Sequence, residues 1–236
     1  MGRADASIDV ANAGWQFENI ADVFDDHVRK SVPLYDLGHE LTCHVGDFFL
    51  PPNATVVELG TSTGALAKTF LDHHTDRRDI RYVAYDRIDS MLERAKTRCG
   101  SDPRIEFLND DVVTAEFPRS NLVISYYTLQ FVHPRSRQGV FTKIYDSLEW
   151  GGAALVFEKV RAPDARFQDM AMQLYHEFKL VQGFDEVEIL NKQRSLKGVL
   201  EPFSTEGNIE LLRRAGFVDI MTILKYVCFE GFLAIK

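Results

Sequence analysis

Positive charge, cysteine and long apolar runs are all scarce in this chain of 236 residues. Lys and Arg number 27 against 35 Asp and Glu, a net charge of -8. A nucleic-acid surface needs clustered basic side chains, so this balance argues against nucleic acid as a partner and leaves room only for a small anionic pocket. The three cysteines, Cys43, Cys99 and Cys228, lie far apart with no C-x-x-C pair. They read as reduced thiols of a cytoplasmic protein rather than a disulfide framework. No apolar run approaches the length of a membrane span. The N-terminus lacks a charged-then-apolar signal pattern, because Asp5, Asp9 and Asn12 interrupt it. His39 and His44 are not at metal-ligand spacing with a helpful third residue, so no metal is expected. Internal repeats and low-complexity tracts are also missing. What the chain has is 45% hydrophobic residues, enough for a sizeable core in one α/β domain covering residues 1–236.

The most informative stretch is 55–64. Val56, Val57 and Leu59 make a short apolar run of the kind a buried parallel strand shows. Glu58 sits near its end. Gly60 and Gly64 bracket Thr61, Ser62 and Thr63 in a tight turn, and 65–71 reads as a helix that starts at once. Strand, glycine turn and helix form the unit in which backbone N–H groups face a ligand. A second strand is read over 80–85, with Asp86 at its C-terminal end and Arg87 beside it. A carboxylate there has two acceptor oxygens for the two hydroxyls of a ribose.

The turn also lacks two features that would name other nucleotides. A phosphate loop needs Lys and Ser/Thr after its last glycine, whereas Ala65 and Leu66 follow Gly64. A dinucleotide fingerprint needs G-x-G-x-x-G, whereas this turn is G-x-x-x-G. Glu58 and Asp86 together suit a ligand with an ammonium and a ribose but no phosphate. S-adenosylmethionine (SAM) has that chemistry, with S-adenosylhomocysteine as the product of methyl transfer.

In chain order, residues 1–14 are small and polar and are expected to be mobile. Trp15 and Phe17 open an aromatic segment. Ile20, Val23, Phe24, His27 and Val28 fall at helical spacing, giving a helix over 19–30. Ser31, Val32 and Pro33 break it; a second helix carries Leu37, Leu41, Val45, Phe48 and Phe49, and Pro51 and Pro52 end it. This helical cap, residues 1–50, either closes the cofactor site or covers a sheet edge. Ser90 is expected to cap the next helix. Further strands are expected over 104–108, 121–127 and 153–157. Asp110, Asp111 and Val112 follow the third strand. There an acid and a backbone N–H suit the adenine ring, although Asn109, Asp110 and Asp111 also suit a plain turn. A helix is expected over 138–149, closed by a turn at Gly151 and Gly152. Helices over 167–181 and 187–200 make 161–203 an insertion, read as a lid or a subunit contact. Thr205 is expected to cap a last helix, and strands over 218–224 and 227–235 finish as a hairpin.

Strand alternating with helix and then a hairpin is a doubly wound α/β sheet of seven strands, mostly parallel, with an antiparallel last strand. Its ligand belongs at the C-terminal strand ends. Gly60, Asp86, Asp111 and the region of Tyr126 all fall there, and that agreement across levels carries the reading.

Longer stretches narrow it. The chain resembles the carboxy-S-adenosyl-L-methionine synthase family, within the class I SAM-dependent methyltransferases, over nearly its whole length. The resemblance rests on Trp15 to Phe17 with Val23 and Phe24, on 29–35, 128–131 and 151–156, on Glu158 and Lys159, and on 176–179 and 186–199. It implies a homodimer with the insertion near the partner's active site. It also implies conversion of SAM and prephenate to a SAM derivative whose methyl has become carboxymethyl. Tyr35, Gly60, Asp86 and Asp111 match its ligand-binding positions. Two positions depart. Tyr126 stands where the family has an asparagine. Gln193 stands where it has an arginine that clasps the extra carboxylate, with Arg194 one helical step, about 100°, away.

A neutral amide binds a carboxylate less well than a guanidinium. The departures therefore favour an ordinary SAM-dependent methyltransferase acting on a small aromatic or heterocyclic acceptor. The synthase is the alternative, and a non-catalytic SAM-binding protein comes last. Methyl transfer needs alignment and, for a protonated acceptor, a base. Tyr126, Tyr127, His133, Tyr175, His176 and Glu177 are candidates by location, and Tyr126, His133, Tyr175 and His176 are the ones carried forward as catalytic. His133 could equally end a loop, and Tyr175 and His176 could equally be core.

Overall fold

A computed structural model describes residues 23–236. The expectations for 1–14, for Trp15 to Phe17 and for the first turn of the 19–30 helix lie outside the described residues. The helices are α1 (Phe24–Ser31), α2 (Tyr35–Gly46), α3 (Ala65–His73), α4 (Asp89–Cys99), α5 (Pro134–Ser147), α6 (Ala165–Val181), α7 (Glu186–Ser195) and α8 (Thr205–Ala215). The strands are β1 (Thr55–Leu59), β2 (Arg81–Asp86), β3 (Ile105–Asn109), β4 (Ser120–Tyr126), β5 (Leu148–Lys159), β6 (Asp219–Tyr226) and β7 (Phe229–Ile235).

One seven-stranded sheet runs in the order β3-β2-β1-β4-β5-β7-β6. The first five strands pair in parallel, and β7 pairs antiparallel with both β5 and β6. The final hairpin thus inserts its second strand beside β5 and leaves β6 at the edge. Strand order reverses between β1 and β4, so the crevice of a doubly wound sheet lies above those two strands.

Both faces of the sheet are covered. Val56, Leu122, Ile124 and Phe157 point into a core with Leu66, Ala67 and Phe70 of α3. Their neighbours Val57, Val123 and Val156 point into a second core with Phe141 and Ile144 of α5 and Leu211 and Leu212 of α8. Alternate residues facing two apolar layers explain why β1 reads as a continuous run rather than an alternating one.

Several boundaries differ from the sequence reading. Ser90 is the second residue of α4, and Ile88 is the N-cap without a side-chain cap. The Asp86 carboxylate accepts the N–H of that N-cap residue, Ile88, just ahead of the helix. α5 starts at Pro134, because proline suits the first helical position and His133 Nδ1 accepts the Arg135 N–H. Gly151 and Gly152 lie inside β5, exchanging backbone hydrogen bonds with Lys236 at the chain end. α7 stops at Ser195, and turns follow to Gly198, whose φ is +76°. Ser204, not Thr205, caps α8 by accepting the Gly207 N–H.

Candidate functional site

The C-terminal ends of β1, β2 and β4 open into a cavity of about 480 Å³, within the range of small-molecule sites. Its near half is the glycine turn. The N–H groups of Gly60 and Thr61 both donate to the Tyr85 carbonyl, at 2.8 and 2.9 Å, which ties the turn to the end of β2. Gly60 has φ of +76°, and a Cβ there would lie 2.9 Å from Thr128 Cβ and closer still to Oγ1 and Cγ2. Glycine is therefore required by conformation and by space.

Four carboxyl groups surround this half. Glu58 is buried; its Oε2 accepts from Thr61 Oγ1 at 2.7 Å and from Tyr82 OH at 3.0 Å. Burial pushes its pKa up to about 7, against the opposing effect of those two hydrogen bonds. Asp86 accepts from Ser62 N at 2.8 Å and from Ile88 N at 3.0 Å, and burial raises its pKa too. Each carboxylate oxygen keeps a further lone pair for a ligand. Asp110 and Asp111 line the rim with the buried Val112. Asp111 accepts the Val113 N–H at 2.8 Å and lies 3.6 Å from Arg87 Nη1. The turn geometry and the lining position coexist in the same residue.

α1 and the start of α2 form one wall, through Phe24, His27, Ser31 and Tyr35. Asp25 fixes α1 to the glycine turn: it accepts from Thr63 Oγ1 at 2.5 Å and pairs with Arg98, which also donates to the Thr63 carbonyl at 2.9 Å. The Tyr126 hydroxyl donates to the Tyr35 carbonyl at 2.6 Å. It lies so close to Gly38 that a Cβ on Gly38 would overlap it.

The far half comes from β5, β7 and the insertion. Tyr175 and Lys179 of α6, Lys192 and Gln193 of α7, Lys159 at the end of β5 and Phe229 at the start of β7 line it. The Tyr175 hydroxyl donates to the Ser31 carbonyl at 2.8 Å, which joins the insertion to α1.

The sequence-derived candidates divide on this geometry. Tyr35, Glu58, Gly60, Thr61, Ser62, Asp86, Arg87, Asp111, Val112, Tyr126, His133, Tyr175 and Gln193 all line the cavity. His176 does not; it sits beside Gln193, with Nε2 to Nε2 at 2.6 Å. Arg194 is exposed and turned away, as one helical step requires. Neither is placed to meet a ligand. Tyr126 and Tyr175 both donate their hydroxyls to carbonyls, and burial raises both pKa values, which keeps the phenols neutral. His133 is exposed at the rim, with Nδ1 used as a helix cap.

Three lysines were missed. Lys179 follows Tyr175 by four residues and Lys192 follows Ile189 by three, each pair on one helix face, and that spacing was the available signal. His44 also gains partners the sequence did not suggest. Among the described residues, it brings a ligand atom within 4.8 Å of ligand atoms of Asp47 and His73, at an exposed spot outside the cavity. His74 Nε2 already sits 2.9 Å from Asp47 Oδ1 there. No helix among the described residues is long and apolar enough to cross a membrane.

Residues 56–152 match a methyltransferase domain model. The chain is 34% identical over 224 residues to the carboxy-S-adenosyl-L-methionine synthase of Staphylococcus epidermidis, covering 94% of this chain and 97% of that one. It is 32% identical over 225 residues to the synthase of the same name from Campylobacter lari, covering 94% and 95%. Human N-acetylserotonin methyltransferase, solved in complex with SAM, superposes with a TM-score of 0.62 at 20% identity. The match covers 93% of this chain and 55% of the human one, so the chain spans about half that protein's length. The architecture is the class I SAM-dependent methyltransferase fold, and SAM is the cofactor. The synthase relatives, matched almost end to end, overturn the expectation of an ordinary methyltransferase of small acceptors, which the fold supports only generically. The chain belongs to the carboxy-S-adenosyl-L-methionine synthase family.

Proposed function

We propose that the protein is itself a carboxy-S-adenosyl-L-methionine synthase that uses SAM and prephenate. The observation that carries this reading is the extent of the likeness: 94% of the chain, the insertion included, follows the synthases. A continuous cavity from the glycine turn to α7 supports it, because room remains for a second substrate beyond the cofactor half.

SAM supplies a methyl carbon activated by its sulfonium. Prephenate supplies carbon dioxide and hydroxide as its ring becomes aromatic, leaving phenylpyruvate. The hydroxide takes one methyl proton and becomes water, and carbon dioxide joins the methyl carbon, so atoms and charge balance. The cavity residues then hold and align the two substrates. The residues present fit SAM: Gly60 leaves a cradle that a Cβ would fill, and acceptors ring the near half. Glu58 receives the ammonium, Asp86 the ribose hydroxyls, Asp111 the adenine amino group and the Val112 N–H a ring nitrogen. The backbone of Gly60, Thr61 and Ser62 follows the ligand, with Tyr35 and Arg87 at its sides.

The insertion also carries an apolar outer face. Phe167, Met170 and Leu174 of α6 are about half exposed, and Val181, Val187 and Leu190 extend the apolar surface. A face of that kind suits a subunit contact, and we assign the homodimer interface to it. The three buried free thiols suit the reducing cytoplasm.

The reaction is tested by mass spectrometry of small molecules released from freshly purified protein, followed by incubation with SAM and prephenate. The expected product is heavier than SAM by one carbon dioxide. SAM or S-adenosylhomocysteine alone, with no such product after incubation, overturns the proposal. The role of Glu58 gives a pH test. Only its ionised form stabilises an ammonium, and its pKa near 7 leaves it partly protonated at neutral pH. SAM affinity therefore falls below pH 7, approaching about tenfold per unit, and Glu58→Gln flattens the profile. Calorimetry at pH 6, 7 and 8 checks this; equal slopes in both proteins would remove Glu58 from the ammonium.

A further inference from the structure

Outside the cavity, one cluster draws its side chains from two helices that end side by side. α2 and α3 pack closely because residue 46 is glycine: a Cβ there would lie 2.8 Å from Cε2 of Phe70. α2 carries His44 in its last turn and Asp47 just past its end, and α3 ends at His73. His44 and Asp47 are three residues apart and so share one helix face. Each of His44, Asp47 and His73 presents a ligand atom, and all three atoms lie within 4.8 Å of one another. The His44 and His73 rings meet edge to face, with centroids 4.9 Å apart.

Three features favour a bound cation here. His73 Nε2 lies 3.4 Å from Asp47 Oδ2, which is long for a hydrogen bond. It is close to the separation of about 3.3 Å between two ligands of a tetrahedral zinc with bonds of about 2.0–2.1 Å. All three side chains are exposed, so rotation about their side-chain bonds brings the last donor in without moving the backbone. Asp47 is also already oriented. The buried His74 meets its Oδ1 through Nε2 at 2.9 Å and is itself held by the Phe70 carbonyl through Nδ1 at 2.8 Å. Oδ2 is left toward His73, and an outer hydrogen bond of this kind fixes a ligating carboxylate. Lastly, the carbonyl ends of α2 and α3 converge on the cluster, and the negative ends of two helix dipoles attract a cation. Two imidazoles and one carboxylate suit zinc and its first-row neighbours, whereas magnesium and calcium take oxygen ligands.

We propose that His44, Asp47 and His73 bind one divalent cation of the zinc class, with water completing its shell. The third donor that the spacing of His39 and His44 does not supply comes from α3. These residues do not line the cavity, so the ion acts as a bridge between helices and takes no part in the chemistry. It joins α2, whose first residue, Tyr35, stands in the cavity wall, to α3, which follows the glycine turn. Separating the two helices then requires losing the metal as well.

The test is calorimetric titration of full-length protein, without an affinity tag, with Zn2+ and with Mg2+, alongside thermal melts. One equivalent of zinc is expected to bind at least about 100-fold more tightly than magnesium and to raise the melting midpoint. His44→Gln and His73→Gln, both at exposed positions, are each expected to lower zinc affinity at least about tenfold and to remove most of the zinc-dependent rise. SAM affinity within about twofold of the unchanged protein reports that both variants are folded. No zinc binding, zinc bound no more tightly than magnesium, binding undiminished in either variant, or binding that leaves the midpoint unchanged overturns the proposal.

Discussion

Gly60→Val is expected to abolish measurable SAM binding. Two independent effects act at this position. Its φ of +76° is unfavourable for a β-branched side chain. The added carbons would also run into Thr128, whose Cβ would be 2.9 Å from the new Cβ. Relief requires the turn to move away from Tyr85, breaking the two hydrogen bonds that hold Gly60 and Thr61 to β2. The backbone that faces the cofactor is then displaced, and a loss of at least about 100-fold, or about 2.7 kcal/mol, follows. Calorimetry measures it directly, and a thermal melt in parallel separates lost binding from lost folding. A folded variant that keeps its affinity would mean that the turn does not carry the cofactor.

The second large effect is expected at Asp86→Ala. Hydrogen bonds to a charged acceptor contribute about 1.5–3 kcal/mol each. With Asp86 on the ribose as proposed, removing its two contacts is expected to weaken SAM by roughly 100-fold or more on the same scale. The substitution also frees the N–H groups of Ser62 and Ile88, which hold the two loops together. Apo stability need not fall in proportion, because burial already disfavours this carboxylate. Unchanged affinity by calorimetry would remove Asp86 from the site.

The near half of the cavity was legible because its physics is local. Val56, Val57 and Leu59 must be apolar to face two layers, and Gly60 must be glycine to turn at the strand end. Asp86 could be placed because an acid after a buried strand stands at the mouth of the sheet. The same carboxylate fixes where the next helix begins: it holds the Ile88 N–H, so Ile88 becomes the N-cap and α4 starts one residue before Ser90. The Gly151 and Gly152 turn was misread because its partner is Lys236, at the far end of the chain.

The far half was harder to read. A lysine in a helix ordinarily marks a solvated face, and Lys179 and Lys192 become cavity residues only when α6 and α7 fold against β5 and α1. Without that packing, Gln193 stood only as the loss of the arginine that clasps the extra carboxylate in the resembled family, with Arg194 turned one helical step away. It was weighed too heavily against the whole-length resemblance, and the methyltransferase reading followed. His176 and Arg194 were chosen for chemistry and sequence proximity, and the helical step carried both away from the cavity.

The contact between Tyr126 and Gly38 couples two positions far apart in the chain. The end of the tyrosine side chain occupies the space in which a Cβ at residue 38 would stand, and its hydroxyl is tethered to α2 one turn earlier. A side chain at 38 therefore requires the tyrosine to give up its hydrogen bond to Tyr35, and a smaller residue at 126 frees the space that glycine now leaves to the ring. Energies of substitution at the two positions are accordingly not additive.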